Sequence, residues 1–147
     1  MLIIMFSAML GYMITLESVP QQATAFLASL TSNKYVLMAL LVAFLTVLGM
    51  FLESTVITLL LTPILVPVIT RLGIDPVHFG LVMMTTVTLG GMTPPVGVAM
   101  YTVCGMLNCS MDEYTREALP FLGTVILLVL VMILFPDLVL VLPNLIF

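Results

Sequence analysis

The chain has 147 residues, of which 63% are hydrophobic and only 7% charged. A water-soluble domain covers its surface with about 25% charged residues, so most of this surface faces lipid or other apolar helices, in keeping with a mean hydropathy of +1.37. Three basic residues (Lys34, Arg71, Arg116) in a net charge of −4 exclude a phosphate-tracking nucleic-acid surface, and His78 with Cys104 and Cys109 supplies too few ligands for a transition-metal cluster or a disulfide framework.

Residues 1–16 are apolar, lack the basic start of a cleavable signal, and read as the end of a transmembrane helix. Glu17 closes that stretch. In 17–34, Ser18-x-x-Gln21 has capping-box spacing with Pro20 in the first turn. Ala23, Phe26, Leu27 and Leu30 then repeat at helical spacing among polar residues, which predicts an amphipathic helix along the membrane interface.

Residues 35–71 form a long interrupted transmembrane segment. From Tyr35 to Thr70 Glu53 is the only charge, and one straight helix would be about 54 Å long, against a hydrocarbon core of about 30 Å. The candidate breaks are Gly49 with Glu53-Ser54, and Pro63 and Pro67. A break at Gly49 to Ser54 leaves Tyr35 to Leu48 and Thr55 to Thr70, each short for a crossing. Together they make one discontinuous crossing or two half-crossings.

Gly73 reads as a C-cap, and Asp75-Pro76 as an N-cap with proline at the first helical position. Residues 75–109 then predict a re-entrant helical hairpin. Val77 to Leu89 is its first arm, Gly90-Gly91 stops it, Thr93 caps a second arm, and Pro94-Pro95 opens that arm toward Asn108. Each arm of about 15 residues would be about 22 Å long, too short to span. Ser110-x-x-Glu113 begins a short interfacial helix over 110–117, and 118–147 is the C-terminal transmembrane helix. The predicted fold class is an all-α membrane protein with a broken helix and a re-entrant hairpin.

Irregular backbone at membrane depth persists only where protein buries it or it lines a polar cavity. The tip from Gly90 through Gly91, Met92, Thr93, Pro94, Pro95 and Val96 to Gly97 is therefore the candidate binding site. Helix-end carbonyls and the Thr93 hydroxyl outnumber donors there, because each proline removes an N–H. That balance suits a monovalent cation, and the absence of a carboxylate argues against a calcium cage. A plain turn outside the membrane is the other reading, against which stands the lack of any charge from Phe79 to Met111.

Glu53, Ser54, Thr55 and Thr58 form a possible polar path, since an intramembrane carboxylate marks function by default. The alternative is a helix end near water, with the threonines packing helices closely. His78 reads as an ordinary polar residue near a membrane boundary, and both cysteines as buried thiols.

Gly49-Met-Phe-Leu-Glu53-Ser-Thr, Thr62-Pro-Ile-Leu-Val-Pro67, Gly73-Ile-Asp-Pro-Val-His-Phe-Gly80 and Thr93-Pro-Pro-Val-Gly97, followed by Leu119-Pro-Phe-Leu and Pro136-Asp-Leu-Val-Leu-Val-Leu-Pro143, occur in this order. The series resembles the C-terminal part of the large (M-type) permease subunit of tripartite ATP-independent periplasmic (TRAP) transporters, over nearly the whole chain. The resemblance implies a sodium-coupled importer of an organic acid, C4-dicarboxylate-like, in a bacterial inner membrane. It implies as partners a small Q-type membrane subunit, a periplasmic substrate-binding protein, the missing N-terminal half of the large subunit, and membrane lipid. It also implies the second of two inverted repeats of an elevator-type carrier, with sodium held by carbonyls at Gly49, Gly90 and Val96 and by Thr93, and no organic cofactor. Half of such a site is not expected to transport alone. The competing readings are another ion-coupled anion permease with the same hairpin and a non-transporting structural subunit. An enzyme is disfavoured, because His78 has no nucleophile partner and no HExxH or paired aspartates occur.

Overall fold

The computed structural model describes residues 33–146, with side chains to Val141, and isolated positions before Asn33. The predicted helix end at 1–16 and the interfacial helix at 17–34, with Ala23, Phe26, Leu27 and Leu30, lie outside the described residues, save that Asn33 and Lys34 open the first described helix. Every described element is helical.

Helix α1 (Lys34–Phe51) starts where the Asn33 side chain accepts the Tyr35 N–H at 3.0 Å. It buries Leu37, Met38, Leu41, Leu45 and Gly49, a stripe at helical spacing. The chain then extends at Leu52 and Glu53, and α2 (Ser54–Arg71) begins. The Glu53 carboxylate caps α2, accepting Thr55 N–H at 3.0 Å and Val56 N–H at 3.3 Å. Helix α2 runs through Pro63 and Pro67 without stopping. The break in 35–71 thus falls where a side chain can satisfy two free donors, not where a proline removes one. Each piece has 18 residues and is long and apolar enough to cross a membrane, a correction to the short pieces expected.

Gly73, at φ +73°, turns the chain in the left-handed region that suits glycine. Asp75 then caps α3 (Pro76–Met92) through Oδ1, which accepts Val77 and His78 N–H at 2.8 and 3.1 Å. This helix is the centre of the molecule and touches every other described helix. Phe79, Val82, Met83 and Val87 pack with Leu41, Leu45, Ile57 and Ile69 into one core. Helix α4 (Val98–Leu107) follows a link over Thr93–Gly97, and Asn108 closes it in the left-handed region.

Two features of the hairpin differ from the sequence reading. Gly90 and Gly91 do not stop the first arm, which continues to Met92. A β-carbon on Gly90 would lie 2.7 Å from both Gly49 Cα and the Thr46 carbonyl, and one on Gly49 would lie 2.8 Å from the Val87 carbonyl. The glycines let two backbones touch; they do not end the helix. Nor does Thr93 start the second arm: it is the C-cap of α3, with its N–H on the Gly90 carbonyl at 3.0 Å. A proline drives the residue before it to extended backbone, and Thr93 at ψ 137° obeys. Pro94-Pro95 therefore lie in the link, and the second arm begins after Gly97 with only 10 residues.

The interfacial helix expected at 110–117 and the C-terminal span expected at 118–147 are divided differently. Helix α5 (Met111–Leu134, 24 residues) joins the polar start to the apolar span. Ser110 Oγ accepts the Glu113 N–H at 3.2 Å, and Pro120, early in the helix, costs one backbone bond without ending it. The stop comes at Phe135, again the residue before a proline, and α6 (Pro136–Ile146) follows. His78 is buried, and its Nε2 lies 2.7 Å from the Met132 carbonyl. Cys104 is buried and Cys109 half-buried past the end of α4. Phe44, Val47, Phe121, Leu127 and Leu130 stay exposed on the outer faces, as side chains that meet lipid or further protein do.

Candidate functional site

Two interruptions of regular backbone, the one at Leu52-Glu53 and the one at Thr93–Gly97, meet in space. The Gly97 N–H donates to the Met50 carbonyl at 3.0 Å, joining the end of α1 to the hairpin tip. Gly97 has φ +48°, and a β-carbon there would lie 2.9 Å from the Thr93 carbonyl and 3.1 Å from that of Gly91. Carbonyls of Met50, Gly91 and Thr93 thus surround one glycine that has no side chain to fill the space. Met50 carries no signal of this in the sequence: its carbonyl lacks a partner within α1 because the helix ends one residue later, and so can accept from Gly97.

The Thr93 hydroxyl donates to the Leu89 carbonyl at 2.7 Å, leaving its oxygen lone pairs as its outward chemistry. Among the described residues, the Gly49 carbonyl receives no backbone N–H across the break and the Val96 carbonyl none in the link. A β-carbon on Gly91 would lie 4.0 Å from the Gly49 carbonyl and 4.0 Å from Ser54 Oγ, so Gly49, Ser54, Gly90 and Gly91 are neighbours. Pro94 is half-buried and Pro95 exposed, and neither has an N–H to give.

A cavity of about 180 Å³ opens between the two breaks, lined by Glu53, Ser54, Thr88, Gly91, Met92 and Val98 among others. Of the four polar-path candidates, Glu53 and Ser54 line it, and Thr55 and Thr58 do not. Thr55 Oγ1 donates to Glu53 Oε1 at 2.8 Å, and Thr58 Oγ1 bonds the Ser54 carbonyl at 2.8 Å beside the Met84 sulfur. Glu53 lies beyond the end of α1, because the chain leaves that helix before reaching it. The arrangement is rich in acceptors: backbone carbonyls, hydroxyl oxygens and the Glu53 carboxylate.

A family model described as the DctM component of tripartite ATP-independent periplasmic transporters matches residues 1–138. The sialic acid TRAP transporter large permease protein of Vibrio cholerae is 35% identical over 144 residues, which cover 98% of this chain and 34% of that protein. The C4-dicarboxylate TRAP transporter large permease protein of Pseudomonas aeruginosa is 29% identical over 144 residues, covering 98% of this chain and 34% of that protein. The isethionate TRAP transporter permease protein of Oleidesulfovibrio alaskensis is 31% identical over 121 residues, covering 82% of this chain and 19% of that protein. The chain spans about a third or less of the length of these curated relatives. They are transport proteins and not enzymes, and three helices long and apolar enough to cross a membrane make this a multi-pass membrane protein. The chain belongs to the DctM-component family, the large permeases of TRAP transporters.

Proposed function

We propose that this chain supplies the cation-holding hairpin of one repeat of a sodium-coupled TRAP importer for an organic acid, C4-dicarboxylate-like, in a bacterial inner membrane. The carrying observation is the Gly97 N–H on the Met50 carbonyl, which brings two helix ends together. On this reading the hairpin is re-entrant and its tip lies at membrane depth. Sodium sits among the carbonyls of Gly49, Gly90 and Val96 and the Thr93 hydroxyl. What supports it is donor chemistry: among the described residues the Gly49 and Val96 carbonyls take no backbone N–H, the Gly90 carbonyl takes that of Thr93 and keeps a second lone pair, and the prolines leave few N–H groups to compete for a hard cation. The relatives named for sialic acid and for C4-dicarboxylates support an acidic solute. The partners are the rest of the large permease, a small Q-type membrane subunit, a periplasmic substrate-binding protein and lipid.

A cysteine at Val96 in the complete transporter, held in membrane vesicles, tests this. Maleimide labelling of Val96→Cys is expected to slow several-fold in sodium relative to potassium or choline. Equal rates in all three salts would remove the ion from the tip and leave a structural role for the hairpin.

A further inference from the structure

At the opposite end of α3 from the tip, α5 and α6 meet at a bend that lacks one backbone bond. In a continuous helix the Met132 carbonyl would accept the N–H of residue 136. Residue 136 is proline and has none. The bonds that cross the bend run from Phe135 N–H to the Val131 carbonyl at 2.9 Å and from Leu138 N–H to the Phe135 carbonyl at 3.2 Å, and neither uses Met132. His78 Nε2 fills the gap at 2.7 Å from a residue 54 positions away in the chain. A carbonyl only accepts, so Nε2 carries the hydrogen.

We infer that His78 is a positioning residue: its Nε2–H replaces the backbone donor that Pro136 removes, and so fixes the base of α3 against the bend between α5 and α6. The side chain is 5% exposed, which makes the bond hard to trade for water. Two residues of opposite effect thus form one device, since the proline frees the acceptor and the histidine occupies it. The same histidine sits in the first turn of α3, which Asp75 caps, and lines a cavity of about 220 Å³ with Lys34, Asp75, Pro136 and Asp137. The start of α1, the base of α3 and the α5–α6 bend therefore meet around this cavity. The tip of α3, by contrast, is held through the link by Gly97 on Met50. This assignment stands whichever solute the chain serves.

A double-mutant cycle on the full chain in lipid nanodiscs, read by amide hydrogen exchange, tests the device. His78→Phe keeps a ring but removes the donor, and exchange at Phe135 and Leu138 should rise about tenfold, the scale of one buried carbonyl left unsatisfied. Pro136→Ala restores the backbone donor. In the His78→Phe background it should return exchange to within about threefold of the parent and show a protected amide at position 136, whereas with His78 present it should change little. His78→Gln, which keeps an N–H donor, should lie nearer the parent than His78→Phe. An equal effect of Pro136→Ala in both backgrounds, or unchanged exchange in His78→Phe, would overturn the assignment.

Discussion

Residues without side chains bring two helices into backbone contact. At Gly49 and Gly90, α1 and α3 come so close that a single methyl group on either meets backbone under 3.0 Å away. Backbone cannot swing aside as a long side chain can, so the helices must separate. Gly90→Ala is expected to destabilise the folded chain by about 1–3 kcal/mol, the range for overpacking a tight contact, read as a lowered unfolding midpoint in detergent. Gly80→Ala, where nothing lies within 4 Å of the added carbon, is the matched control and should leave the midpoint unchanged or higher. A sequence shows that Gly90-Gly91 is special but not why: a helix stop and a close crossing use the same residue, and only the partner strip on α1, some 40 positions away, decides between them.

Among the elements, the break between α1 and α2 rests on one side chain. Glu53 holds both the first free donors of α2 and the Thr55 hydroxyl. Glu53→Ala should lower the unfolding midpoint and loosen the start of α2, while Glu53→Ser, which can still cap, should recover most of the loss. If Glu53 also serves a polar path, the serine variant in the complete transporter will fold normally yet carry solute more slowly, and normal uptake would confine the residue to capping. Helix starts were legible here because their signals are local: Asp75-Pro76 and Ser110 announce caps within three residues of the donors they serve. Helix ends were less so. Pro63 and Pro67 sit inside α2 and Pro120 inside α5, yet Pro136 and Pro94 terminate helices. Neighbouring packing, not the proline alone, settles which of these happens.

At the scale of the whole molecule, the apolar composition gave the all-helical class directly, since no soluble surface can be built from so few charges. The order of four short motifs gave the family. The meeting of Met50 with Gly97 was not legible, because it depends on how α1 lies across α3 and involves only backbone atoms. The chain corresponds to about a third of the length of relatives that work as permeases. Reconstituted alone in liposomes it is expected to show no sodium-driven uptake of an organic acid, and co-reconstitution with the remaining part of the permease and its partners should restore it. Uptake by the isolated chain would show that its own helices complete a pathway.

The threonines carry one last consequence. From Thr46 to Thr124 each hydroxyl spends its hydrogen on a carbonyl four residues back, with Thr55 using Glu53 instead. What each hydroxyl then has left for a further partner is its oxygen lone pairs. In the cavity between the two breaks, the Thr88 hydroxyl therefore has a lone pair and not a hydrogen left to give, so a positive guest suits it better than a negative one.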